Sequence, residues 1–247
     1  MTKEELTHVL RLHLSETMQQ TPGSVLYTPL SNVKAASVYI MGLNPGGHPA
    51  DRPTPIIDSL APAEGESFYT HECWQKHCAE PQPCSHLVGG KLRADAQVPH
   101  QSRMHEIAKT FDMALINVVC CNAIFGKSEG LGTLKAQTGF SAREWWSACW
   151  PVHQYLLKQV RPGVIITLGY GEHSSAFGLL RREAGHVPHR PIGEVGVGGG
   201  RTFDAKLPLG GGDVLEVAIV GVPHPSWHGP GQILKDQLWE LGQGMLN

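Results

Sequence analysis

The chain has 247 residues, 41% of them hydrophobic and 17% charged, with 22 acidic side chains against 20 basic ones and a formal net charge of −2. This is the composition of an ordered globular protein, and its length suits one large domain or two small ones. The near-neutral balance excludes a protein that coats nucleic acid by charge alone, but it permits one that grips phosphates with a few local groups.

In chain order, Thr2 and Glu5 form a capping-box pair before Leu6, Val9, Leu10 and Leu14, which share one stripe, so TKEELTHVLRLHLSETMQQ reads as an opening helix. Four short apolar runs follow: ASVYIMGL (36–43), MALINVV (113–119), GVIITLG (163–169) and LEVAIVGV (215–222). Each has the pattern of a strand buried on both faces. Helical patterns separate them at about 101–110, at 141–160 with a capping box of Ser141 and Glu144 and an internal Pro151, and at 172–183. A last one, 230–241, begins at Pro230. Strands alternating with helices imply parallel pairing through right-handed crossovers. The expected fold is therefore α/β, a three-layer α/β/α sandwich around a central four-stranded, mostly parallel sheet. RTFDAKLPLGGGDVLEVAIV also reads as a hairpin turning at Gly210, Gly211 and Gly212. Residues 50–100, rich in Pro, Gly, His and Cys and without periodicity, read as a functional insertion or mobile loop within a single domain spanning 1–247.

The N-terminal MTKEELTHVL lacks the charged-then-apolar order of a secretion signal, and no apolar run has the length of a membrane helix, so a cytoplasmic location and no membrane partner are expected. The six cysteines fall as a clump (Cys73, Cys78, Cys84), a pair (Cys120, Cys121) and a single (Cys149), unlike a secreted disulfide framework. Cys73, His77, Cys78, Cys84 and His86 together would suffice for tetrahedral zinc. Their spacing matches no common zinc finger, and free buried thiols are the expectation, with no metal and no cofactor.

Ligands of open parallel sheets bind beyond the carboxyl ends of the strands. Three such ends carry unusual chemistry: Asn44, Pro45, Gly46 and Gly47 after the first run, Asn117 within the second, and Pro223, His224, Pro225 and Ser226 after the last. A carboxamide such as Asn44 is too weak to be a strong base, but its oxygen can orient a water. An imidazole such as His224 can donate a hydrogen bond to a carbonyl oxygen on which negative charge is developing.

The early GLNPGG and late VPHPSWHG, in that order on strand ends, resemble the uracil-DNA glycosylase superfamily, with ALINVV similar to its middle motif and RPGVIITLG to its third strand. The resemblance runs from about residue 36 to the C-terminus. It implies a monofunctional DNA glycosylase that flips out a modified or damaged pyrimidine and hydrolyses its N-glycosidic bond, leaving an abasic site. The implied partner is DNA carrying such a base, bound by a monomer. Asn44 and His224 would be the catalytic pair. Gly42, Leu43, Gly46, Gly47 and Asn117 would surround the base, with Phe68, or Tyr69 beside it, stacking on it. Ser226 would touch a flanking phosphate, and Trp227 or His228 would fill the gap in the base stack.

Two substrates remain open under this resemblance: a uracil-type base, which is repair, or a bulky modified cytosine of phage DNA, which is antiviral defence. The absence of a Tyr after Pro45 leaves the pocket open at the edge where bulk would sit. A catalytically weak DNA-binding module of the same fold is a third reading, and an α/β enzyme holding a small phosphate at the glycine turn is a fourth. Trp145, Trp146 and Trp150 lie at helical spacing and are expected in the core.

Overall fold

The computed structural model describes residues 1–74, 86–89, 91–192, 199–227 and 235–236. The predicted helix at 230–241 lies outside them, apart from residues 235 and 236. At the N-terminus the capping box forms, with Thr2 N–H donating to Glu5 Oε2 at 2.7 Å and Glu5 N–H to Thr2 Oγ1 at 3.2 Å. It opens helix α1 (Lys3–His13), and α2 (Glu16–Gln20) restarts behind Ser15. The single predicted helix is thus two, because Leu14 turns to extended backbone and Ser15 caps a new start.

The remaining elements are β1 (Val38–Gly42), α3 (Phe68–His71), β2 (Leu87–Val88), β3 (Lys91–Leu92), α4 (Pro99–Lys109), β4 (Val119–Asn122), α5 (Leu131–Thr138), α6 (Ala142–Val160), β5 (Val164–Leu168), α7 (Ala176–Glu183), β6 (Arg190–Ile192), β7 (Gly200–Gly210) and β8 (Asp213–Val222). Strands β2 and β3 form a separate small ladder. The central sheet has six strands in the order β4-β1-β5-β8-β7-β6. Its first four are mutually parallel, and β7 and β6 are added antiparallel. The expected sheet of four is therefore a parallel core extended by the glycine-turn hairpin, in which Gly210, Gly211 and Gly212 all adopt positive φ.

Alternate residues of the parallel strands enter two separate cores. Val38, Ile40, Cys120, Val164, Ile166 and Val220 pack with Met104 and Ile107 of α4. Tyr39, Met41, Val119, Cys121, Ile165 and Ile219 pack with α1, α6 and α7. Helices thus cover both faces, and the backbone groups of the inner strands are paired chiefly with each other. No helix among the described residues is long and apolar enough to cross a membrane.

The second strand departs from its prediction. MALINVV is not itself the strand: Leu115–Asn117 is a 3-10 turn, and β4 runs Val119–Asn122 in register with Tyr39–Gly42. The two cysteines supply its buried core positions as small hydrophobes. Its outer edge is covered by residues 22–27, which run antiparallel to it through bridges Leu26 to Cys121 and Gly23 to Gly126. The segment between residues 50 and 74 is built into the fold, with Ile56 and Leu60 in one core and Tyr69 in the other.

Helix α6 continues through Pro151 and buries Trp145, Trp146 and Trp150. Trp145 is wholly buried, and its indole N–H donates to Thr138 Oγ1 at 2.9 Å. Trp145→Ala should lower the unfolding free energy by about 3–5 kcal/mol. Leu12→Ala, at a side chain 65% exposed, should change it by less than about 0.5 kcal/mol. Denaturant titration of both variants checks the contrast.

Candidate active site at the carboxyl ends of the parallel strands

The chain runs from β1 to β4 on one side and then crosses back to β5 and β8 on the other, so the direction of strand order reverses between β1 and β5. A crevice opens at such a switch point, outside the carboxyl ends. The loop after β1 carries Asn44 and the loop after β8 carries His224. With β5 between them, their strands lie about 10 Å apart at the usual strand spacing.

Asn44 is held by its amide nitrogen, which donates to Pro45 O at 2.9 Å, Ser128 O at 3.1 Å and Ser128 Oγ at 3.0 Å. With the nitrogen committed, Oδ1 is left as an acceptor for a water or ligand. Ser128 follows β4, and its own N–H donates to Pro45 O at 3.0 Å, so the two loops are tied together. Gly46 and Gly47 are exposed at the turn, and Gly47 has φ +95°.

His224 is held from the other side. Ser226 N–H donates to His224 Nδ1 at 3.2 Å, and burial lowers the pKa of the ring. A neutral imidazole whose Nδ1 accepts carries its hydrogen on Nε2, so His224 presents an N–H donor. Helix α4 grips this loop twice: Arg103 Nη1 donates to Pro225 O at 2.7 Å, and His100 Nδ1 stands 3.2 Å from Ser226 Oγ. The His100 ring meets the His224 ring edge-on at 5.4 Å. Burial, then the neighbouring His224 and Arg103, push the His100 pKa down to about 3.

An aromatic wall joins the two halves. Tyr69 stacks parallel on His100 at 6.1 Å, Trp74 meets both rings, and Tyr27 packs on Phe68, Tyr69 and Trp74. Tyr69 is buried in the core, so of the two stacking candidates Phe68 is the more accessible. The far end of the wall is Tyr27, whose hydroxyl pKa is raised, chiefly by burial.

Asn117 is corrected by this geometry. It sits exposed in the turn before β4, at the amino end of the strand, whereas Asn44 lies beyond the carboxyl end of β1. Parallel register separates the two by about seven residues of extended chain, roughly 23 Å, so they do not share a site. Asn122, which closes β4 and is paired with Gly42, occupies the position Asn117 was expected to hold. The signal was present in the sequence: the buried run continues through Val119, Cys120 and Cys121 and ends in a single amide. Gly42 is accordingly buried, and its missing side chain makes room for Asn122, whose Oδ1 a Cβ would overlap. Leu43 is half-buried. His100 was also missed, because a histidine in a helix pattern gives no sign of what its face meets.

The other expected residues divide. Ser226 is exposed but bonded to His100, and Trp227 is 77% exposed. His228 lies outside the described residues, as do His77, Cys78 and Cys84. Cys73 is buried with its sulfur 3.5 Å from His86 Nδ1, and among the described residues no group of three His, Cys, Asp or Glu side chains could hold a metal ion. Beyond His224 a cleft of about 580 Å³ is lined by Gly169, Tyr170, Glu172, Arg201 and Trp227. Arg201 lies over the Tyr170 ring at 5.7 Å.

The chain matches no protein-family model and no curated protein. Its chemistry is therefore argued from the site.

Helix α6 supports the crevice from behind. His153, wholly buried, places Nε2 3.0 Å from the carbonyl of Ala123, the residue after Asn122, and burial pushes its pKa to about 4. His100 and His153 both stay neutral in the folded chain, yet each binds a proton below its ordinary value of 6.5 once unfolded. The unfolded state thus binds more protons as pH falls below 6.5, and stability falls with it. Thermal midpoints should be highest above pH 6.5 and drop steadily toward pH 4. His100→Asn should show a shallower drop over that window in the same scans.

Proposed function

We propose that the chain is a DNA glycosylase of the uracil-DNA glycosylase kind, which flips a modified pyrimidine into the crevice and hydrolyses its N-glycosidic bond. The reading rests on one observation: Asn44 and His224 flank the switch point in complementary, prearranged states, one offering an acceptor and the other an Nε2–H donor. The four parallel strands, with the two motifs on the first and last, support the same fold reading.

In this reaction the C1′–N bond breaks while a water is held by Asn44 Oδ1 below the sugar. The bonding electrons leave with the base, and charge collects on its carbonyl oxygen. His224 Nε2–H donates to that oxygen, and a fixed donor in a dry site is worth far more than one in water. Loss of the base leaves an oxocarbenium-like sugar, as in other glycosyl hydrolyses; the held water then adds to C1′ and gives up its proton to the departed base anion or to bulk water. A carboxamide at position 44 orients water without taking its proton, so the leaving-group interaction bears more of the work than with a carboxylate. Asn122, at the end of β4 opposite Gly42, has the donors and acceptors to read a pyrimidine edge, and Phe68 is the more accessible ring of the aromatic wall.

Gly46 is exposed, and a Cβ added there would meet nothing within 4 Å, so that edge of the turn sets no wall against a substituent on the base. A bulky modified cytosine fits that edge as well as uracil does.

Single-turnover base release, read as alkali-labile abasic sites, on oligonucleotides with uracil, mismatched thymine, hydroxymethylcytosine or its glucosylated form, tests the reading. Release from at least one is expected, and binding without release from any would leave only a DNA-binding module. On the active substrate His224→Ala should slow release about 10²–10³-fold with little change in DNA affinity, and Asn44→Ala should slow it about 10²-fold. Asn122→Asp should change the order of preference among the bases. Unaltered selectivity would remove Asn122 from base recognition.

A further inference from the structure

The first turn of α4 touches both walls of the crevice. Gln101 is wholly buried, and its carboxamide is bonded at both ends: Oε1 accepts from Val98 N–H at 3.1 Å, and Nε2 donates to Tyr69 O at 3.2 Å and Glu72 O at 2.8 Å. Those two carbonyls lie in and just after α3, the short helix that opens with Phe68. A buried amide left unpaired is costly, so one with all its partners in place fixes them as well. The segment that carries the stacking ring is thereby tied to α4.

Two residues further along, α4 holds the other wall. Arg103 Nη1 donates to Pro225 O at 2.7 Å, and one turn back His100 Nδ1 stands 3.2 Å from Ser226 Oγ. Among the described residues the other hydrogen bonds of the 223–227 loop are its own, from Ser226 N–H to His224 Nδ1 at 3.2 Å and from Trp227 N–H to His224 O at 3.0 Å. Helix α4 is therefore what anchors this loop to the rest of the described chain. Arg103 is half-buried, and no ion pair among the described residues includes it, so its guanidinium is bonded to a loop carbonyl and to no carboxylate. A hydrogen bond from a charged donor is roughly twice as strong as one between neutral groups.

We propose that Arg103 is a positioning residue for His224, and that the first turn of α4 joins the base-stacking segment and the donor loop into one rigid unit. The inference rests on the glycosylase reading, which gives the His224 donor its task. Arg103 acts through the backbone: it holds the Pro225 carbonyl, and with it the turn in which the Ser226 amide donates to His224 Nδ1 and leaves Nε2–H facing the crevice. A displacement of about 1 Å at a reacting group can cost on the order of 100-fold in rate. His100 remains as a second anchor when Arg103 is lost, so freeing one of the two slows base release without abolishing it.

The test uses the full chain and two independent readouts. Single-turnover base release is followed at saturating protein on the most active of the base-bearing oligonucleotides, and backbone amide exchange is followed by NMR without DNA. Arg103→Ala should slow release about ten-fold with DNA affinity changed by less than about two-fold. Added ethylguanidinium should restore part of that rate, whereas Arg103→Met, whose side chain fills the vacated space, should be slowed alike and not respond. In both variants the Ser226 and Trp227 amides should exchange about ten-fold faster while Ile219 and Val220 of β8 stay unchanged, which separates a freed loop from general destabilisation. Unchanged exchange at Ser226 and Trp227, or undiminished release in both variants, would overturn the proposal. Weaker DNA binding at an unaltered saturated rate would overturn it too, since Arg103 would then be a phosphate contact. If Ile219 and Val220 also exchange faster, Arg103→Lys, which keeps the charge but loses the planar fork, takes their place under the same criteria. Faster loop exchange in a chain whose parent releases no base from any oligonucleotide removes the glycosylase reading and upholds Arg103 as the anchor of the loop.

Discussion

A parallel strand covered by helices on both faces can satisfy its backbone only through its neighbours, and here that constraint governs where chemistry is allowed. β1 is buried throughout, and its side chains alternate between the core under α4 and the core under α1, α6 and α7. Apart from Thr167 and Asn122, both at or next to a carboxyl end, the mutually paired stretches of the parallel strands carry apolar side chains or cysteine. Asn44 lies two residues past Gly42, Tyr170 two past Leu168 and His224 two past Val222. Since these strands are parallel, all three loops emerge at one edge of the sheet, and the reversal of strand order beside β1 opens the crevice between them.

Within the crevice the polar side chains are positioned by backbone groups. Asn44 is held by two carbonyls and a hydroxyl, and His224 by the main-chain N–H two residues on. Such partners cannot swing away, so each side chain presents one defined face without reorganising when a ligand arrives. The aromatic wall from Tyr27 to His100 packs ring against ring along the same region. Desolvation keeps both His100 and His224 neutral, which suits donation to a developing anion and puts an acid-sensitive element in the heart of the fold.

Charge is distributed locally in this chain of net charge −2. On one side of the crevice Arg52 is paired with Glu72 and stands near Lys127. On the other, Glu172 is shared by Arg181 and His189, and Arg201 lies on Tyr170 next to the exposed Trp227. Paired acids hold Arg52 and Arg181 at fixed places, so the basic groups here are local and directed and do not form a broad positive surface.

The sequence by itself determined the alternation of strands and helices, the capping boxes at Thr2 and Ser141, the parallel core, and the presence of Asn44 and His224 on strand ends. All of these follow from local periodicity or local hydrogen bonds, which short stretches of chain express on their own. The position of the second strand was less legible, because Cys120 and Cys121 pack as hydrophobes without looking like them and Asn117 is the more conspicuous amide. Only the tertiary structure decided that Asn122 rather than Asn117 stands at the carboxyl end, that Gly42 makes room for it, and that His100 and Tyr27 join one aromatic wall from separate segments. Those relations depend on register and on which faces meet across long stretches of chain, and no local pattern records them.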